Sequence, residues 1–292
     1  MNKSIYSIVL TGMLLTSGLV QAKPLEAELI MPGGRSWKGH VVARDGDWIE
    51  FSTGPTAKPI RIGASTIQEL AFNVKLDTAK LMEMKRKREF KRVIAALDRA
   101  LTPFAEYSDV PSNLTKYNAL LMELHYKTGD YEKSLAISSK IAADDRDPEL
   151  QEKSRIYQAL ALIDAGKSQE AEALLSQYGW DQGLNDDSSP EKLYITAKLL
   201  ALKKEYNKAM ELVSKVIAFN SQDPDWMQPA ELLCAQVYTD LGMFDSAEEV
   251  IREISLLYKN TNEDDLAQQL KIRIERLRAE QELEQSLESE EA

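Results

Sequence analysis

Four stretches decide how this chain folds: TGDYEKS at 128–134, AGKSQEA at 165–171, KKEYNKA at 203–209 and LGMFDSA at 241–247. Aligned on Gly129, Gly166, Lys204 and Gly242, they recur at intervals of 37, 38 and 38 residues. Five residues after each anchor stand Ser134, Ala171, Ala209 and Ala247, and seven before stand Met122, Ala159, Ala197 and Ala235. A glycine suits a tight turn that needs left-handed backbone. Small side chains on both sides of it let two helices approach closely.

From residue 77 onward the apolar positions keep helical spacing, with leucine, alanine, lysine and glutamate dominant. The register predicts helix pairs at 113–127 with 131–143, 149–164 with 168–178, 190–202 with 206–219, and 228–240 with 244–259. A divergent first pair is expected near 77–86 and 90–103, where Phe90, Val93, Ile94, Leu97 and Leu101 share a face. Tyr131, Tyr206 and Phe244 open the second helices and would fill the space between repeats. Ser168 and Lys204 break the pattern, so the second and third repeats should be the irregular ones.

Over residues 77–260 this pattern resembles the tetratricopeptide repeat family. The resemblance implies a mainly α fold, a right-handed α-solenoid whose first helices line a concave groove. It places Lys116, Ala119, Glu123 and Tyr126 on that groove, then Lys153, Ile156, Leu160 and Ile163. The third repeat adds Glu191, Tyr194, Lys198 and Ala201, and the fourth Pro229, Leu232, Gln236 and Thr239. Of these, Lys116, Glu123, Tyr126, Lys153, Tyr194, Lys198 and Gln236 are the candidate protein-binding residues, whereas Ile156 and Leu160 suit packing. Tyrosine offers apolar area with one polar group at low entropy cost, which suits an extended peptide or a helix. Exported members of this family are commonly adaptors of envelope machinery. The chain departs from the lipid-anchored assembly members, and from division-associated members with a leading coiled coil.

Residues 24–74 change to a period of two. Candidate strands are Leu25–Met31, Trp37–Arg44, Trp48–Ser52, Pro59–Ile62 and Ile67–Phe72, with Asp45-Gly46 as a hairpin signal. Gly39 permits a bend. The stretch GGRSWKGHVVARDGDWIEFSTG resembles the second and third strands of small SH3-like or Sm-like barrels, through Gly34, Gly39, Val41 and Asp45. That resemblance implies a closed five-strand module with a structural or protein-docking role. Trp37 and Trp48 read equally as surface anchors or as packing between sheet layers.

The ends carry their own signals. Residues 1–22 read as a cleaved signal peptide, with Lys3 ahead of an apolar core too short to span a bilayer. Its removal takes the formal charge from -11 to -12. A periplasmic or secreted chain without stable membrane insertion is therefore expected. Its acidity argues against nucleic acid as a partner. Residues 261–280 read as a capping helix with Leu266, Leu270, Ile274 and Leu277 on one face, and 281–292 as a solvated acidic tail whose Leu283 and Leu287 offer an optional docking stripe.

No catalytic or metal-binding pattern emerges. The two histidines, His40 and His125, fall in different modules, and the single cysteine, Cys234, suits a buried free thiol. Asp181, Asp186 and Asp187 lack calcium-loop spacing. Trp180 is expected to cover a seam between repeats, Pro190 to start a helix capped by Ser188 or Ser189, and Asp147 to cap the helix opened by Pro148. The expected function is a non-enzymatic protein- or peptide-binding adaptor in the bacterial envelope, without cofactor. The alternatives are a self-associating structural component, hence a possible homo-oligomer, and a cell-wall-attached protein docking through its β module.

Overall fold

A computed structural model describes residues 24–144, 146–185, 188–219, 223–259 and 261–291 of the chain. The signal-peptide segment 1–22 lies outside the described residues, as do Asp186 and Asp187. The chain divides into two compact units. One holds the N-terminal sheet with Glu106–Ser112, and the other holds Val74–Ala105 with Asn113–Ala292.

The sheet comprises β1 (Leu25–Ile30), β2 (Ser36–Asp45), β3 (Trp48–Ser52), β4 (Ile60–Gly63) and β5 (Glu69–Phe72). Alternation buries Ala27, Leu29, Val41, Ile49, Phe51, Leu70 and Phe72 on one face. Asp45 pairs with Trp48, leaving Gly46 (φ 56°) and Asp47 as a two-residue turn. At Gly39 a Cβ would lie 2.2 Å from the Ser52 carbonyl oxygen and 2.9 Å from the Phe51 ring. Only glycine admits that close approach.

The sheet does not close into the expected barrel. The strand order is β4-β3-β2-β1-β5, and the sheet is open, with β4 and β5 as its edges. The edge that closure would use is taken by another part of the chain. The Leu70 amide donates to the Pro111 carbonyl at 2.7 Å, and Leu70 bridges Ser112. Tyr107 packs on Phe72 with ring centroids 5.5 Å apart. Arg44 on β2 grips Asp109 through both guanidinium Nη atoms, at 2.5 and 2.7 Å. Segment Glu106–Ser112 therefore shields the β5 edge from pairing with a foreign strand.

The second unit is helical. It begins with α1 (Thr78–Arg86) and α2 (Phe90–Leu101), followed by α3 (Leu114–Lys127) and α4 (Tyr131–Ala142). Next come α5 (Pro148–Asp164) with α6 (Ser168–Tyr178), and α7 (Pro190–Leu202) with α8 (Tyr206–Phe219). The last elements are α9 (Pro224–Asp240), α10 (Phe244–Leu257) and α11 (Asn262–Glu291). Aspartates 77, 130, 147 and 223 cap α1, α4, α5 and α9 through their side chains. Ser189 occupies the N-cap position of α7 but makes no side-chain capping bond. Helix α9 starts four residues before the expected position, so Pro229 lies inside it.

Each hairpin closes with the same pair of backbone bonds. The Gly129 amide donates to the Tyr126 carbonyl and the Asp130 amide to the His125 carbonyl, and the pair repeats at Gly166, Lys204 and Gly242. This is the Schellman arrangement. It also occurs at Arg88, a turn without a glycine to mark it: the Arg88 amide meets the Lys85 carbonyl and the Glu89 amide the Met84 carbonyl. Arg88 and Lys204 accept left-handed backbone (φ 57° and 62°) despite their side chains. Ser134, Ala171, Ala209 and Ala247 are fully buried, as are Met122, Ala159, Ala197 and Ala235. The Ser134 hydroxyl donates to the Met122 carbonyl at 3.0 Å, so the one polar member of the set is satisfied across the hairpin.

The first helices of successive pairs also touch, α3 on α5, α5 on α7, α7 on α9, and α9 on α11. Trp180, between α6 and α7, is buried and joins the core, with its carbonyl accepting from Thr196 at 3.2 Å. Helix α11 continues to Glu291, through the stretch expected to be an acidic tail. Among the described residues no helix is long and apolar enough to cross a membrane. In place of the expected solenoid with an SH3-like barrel, the chain forms a small open sheet followed in sequence by a mainly helical region of paired helices, solenoid-like in its pairing.

Candidate binding site

The contacts among first helices create two charged clusters and one cavity. On α3, Glu123 is buried to 3 % side-chain exposure. Lys85 of α1 and Lys153 of α5 approach its oxygens at 2.7 Å each, and Lys127 at 3.4 Å. Lys153 makes a true hydrogen bond, whereas Oε1 receives ion-pair contacts without hydrogen-bond geometry. Burial alone would raise the Glu123 pKa; the three ammonium groups override it and hold the carboxyl at about 2. Lys127 further reaches Asp225 of α9 at 2.5 Å.

One turn along the same layer lies a cavity of about 410 Å³, walled by α3, α4, α5, α7, α9 and α11. Asp164, at the end of α5, accepts from the Tyr126 hydroxyl at 2.8 Å and from Lys198 Nζ at 2.6 and 2.7 Å. Lys198 Nζ also lies 5.8 Å from the Tyr194 ring centroid. Burial opposes the charge on Lys198, but the Tyr194 hydroxyl and the Asp164 carboxylate outweigh it and raise its pKa. Burial pushes Tyr194 up to about 12, and it also raises Tyr126 well above the ordinary phenol value, helped by Asp164. Both phenols therefore stay protonated at neutral pH. Tyr131, Tyr157 and Trp226 complete an aromatic wall, with Tyr126 centred 5.6 Å from both Tyr131 and Tyr157.

The candidate residues divide between these places. Tyr126, Tyr194, Lys198 and Gln236 line the cavity. Glu123 and Lys153 belong to the lysine-ringed cluster, and Lys116 is exposed elsewhere on α3. Ile156 and Leu160 are core residues. The sequence reading missed Asp164, Lys127, Leu202 and Asp240, which all line the cavity and all stand two residues before a hairpin anchor. The repeat register contained that signal. Glu263 was missed for another reason, since its position depends on where α11 packs.

Other singled-out residues fall outside the cavity. His125 is buried beside Asp130, 3.4 Å away, with its pKa lowered chiefly by burial, and His40 is exposed on β2 in the other unit. Cys234 is buried and free, and burial pushes its thiol up to about 11. Trp37 and Trp48 are exposed, with Arg61 stacked 5.4 Å from the Trp48 ring centroid. Among the described residues no cluster has the makings of a metal site.

No protein-family model matches this chain, which overturns the assignment to the tetratricopeptide family and leaves the recurring turns as a property of the chain itself. No curated protein matches its sequence either.

Proposed function

We propose that the cavity on the first-helix layer binds an extended peptide segment of another protein, making this chain a non-enzymatic adaptor. The observation that carries the reading is the cavity itself. Its size falls within the range of small-ligand sites, and six helices supply five aromatic rings beside hydrogen-bonding heads. Tyrosines with protonated hydroxyls offer a peptide both ring faces and donors for its carbonyls. The Asp164–Lys198 pair fixes the floor without leaving a net charge there. Residues 1–22 read as an export signal, which supports placing this adaptor in a bacterial envelope compartment.

The test is selection of random decapeptides on the full chain, compared with Ala201→Trp, which fills the cavity from α7. Selected peptides should lose at least tenfold in affinity for the filled variant, about 1.4 kcal/mol. Recovery of no peptide, or of peptides indifferent to Ala201→Trp, refutes the reading.

A further inference from the structure

Glu263 is the one charged residue lining the cavity without an ion-pair partner among the described residues. The other charges close on themselves: Lys198 on Asp164, Lys127 on Asp225, and Asp240 on Arg273. Glu263 lies in the first turn of α11, within electrostatic reach of the Tyr131 and Tyr194 hydroxyls. The positive end of α11 contributes about half a charge, which the full charge of Glu263 in its first turn exceeds. The cavity wall is left with an uncompensated negative charge beside aromatic rings.

We infer that the cavity takes the cationic side chain, arginine or lysine, of the peptide proposed above, with Glu263 as its counter-charge and Tyr131 and Trp226 as its aromatic walls. The inference rests on the peptide-binding reading and adds the class of side chain. A cation over a ring face is attracted by the ring quadrupole, more so in a partly dry site. The Tyr194 ring already serves Lys198, which leaves Tyr131 and Trp226 for the ligand. Pro229 and Leu266 supply apolar surface for the stem of such a side chain, whose head stays polar. A chain of formal net charge -11 attracts basic segments at long range as well. A carboxylate side chain would face Glu263 without compensation, since Lys198 and Lys127 are already neutralised.

The experiment uses the full chain and five peptides, acetyl-Ala-Ala-X-Ala-Ala-amide, with X as arginine, lysine, citrulline, norleucine or glutamate, followed by saturation-transfer NMR. Arginine and lysine peptides should bind about fivefold tighter than citrulline and norleucine, the scale of one partly exposed ion pair with Glu263. Glu263→Gln should remove most of that preference. Equal binding of all five, tighter binding of the glutamate peptide, or a preference undiminished in Glu263→Gln overturns the cation assignment and spares the peptide reading. Absence of transfer to every peptide at millimolar concentration overturns both.

Discussion

Glu123 on α3 and Asp164 on α5 are both carboxylates held by lysines of neighbouring helices, yet they do different work. Glu123 gathers three lysines from three helices and has 3 % side-chain exposure. Asp164 has one lysine, one tyrosine and 17 % exposure, and it borders open space. A buried charge is tolerated only when paired. At Glu123 the pairing is overfilled, with Lys127 shared between it and Asp225 of α9, so the cluster acts as a tie between helices. At Asp164 the pairing is balanced, one lysine against one carboxylate, so the floor of the cavity is neutral. Stoichiometry of compensation separates the tie from the site.

Removing the overfilled acid should cost most. Glu123→Gln leaves three ammonium groups converging on a neutral amide, and a loss of about 3 kcal/mol is expected, the scale of breaking a buried ion pair. Urea unfolding followed by helical circular dichroism reads it directly. A loss under about 1 kcal/mol would remove the distinction between the two acids. The same residue sets a pH dependence. Its folded pKa of about 2 lies below its ordinary value of 4.5. Its contribution is therefore complete above pH 4.5 and fades as pH falls toward 2. Over that window the wild type should lose up to about 3 kcal/mol relative to Glu123→Gln. Parallel acid profiles would dismiss the assignment.

Asp164→Asn should be milder, costing about 1–2 kcal/mol, because Lys198 can take water from the cavity in place of its lost partner. Its sharper consequence is on the ligand. The floor becomes positive, so arginine peptides should weaken while citrulline peptides do not. An Asp164→Asn protein that keeps its arginine preference would show that the floor's charge is irrelevant to the site.

The helices were legible because their signals are local. A turn residue with small neighbours seven before and five after it sets each hairpin, and Ala171, Ala209 and Ala247 are buried as that spacing requires. The first hairpin hid its register because Arg88 occupies the turn, with Leu81 and Val93 at the flanking positions. The strands were legible from alternation. That the sheet stays open was not, since its β5 edge is met by a segment far along the chain, where Leu70 finds Pro111 and Arg44 finds Asp109. At the cavity, the register placed Tyr126, Tyr194, Lys198 and Gln236 together. It passed over Asp164 and Asp240 because a charge at a helix end ordinarily reads as solvated surface, and nothing local tells a sequence that α11 will carry Glu263 to the same space.

The smallest effect should come from a change that touches neither acid. Lys204 closes the hairpin that begins with α7, the helix carrying Lys198, and it does so with φ at 62°. A side chain there crowds the backbone, at about 1 kcal/mol relative to glycine. Gly129, Gly166 and Gly242 make the same turn with the same two hydrogen bonds. Lys204→Gly therefore relieves strain without losing a backbone contact, and the lysine makes no ion pair among the described residues. Glycine gives back at least about 0.4 kcal/mol of the gain through the entropy of the unfolded chain, so a net stabilisation of no more than about 0.5 kcal/mol is expected. Affinity for the arginine peptide should not move. If it does, the turn and the cavity are coupled through α7, and the separation drawn between packing and binding in this layer would have to include the hairpin turns.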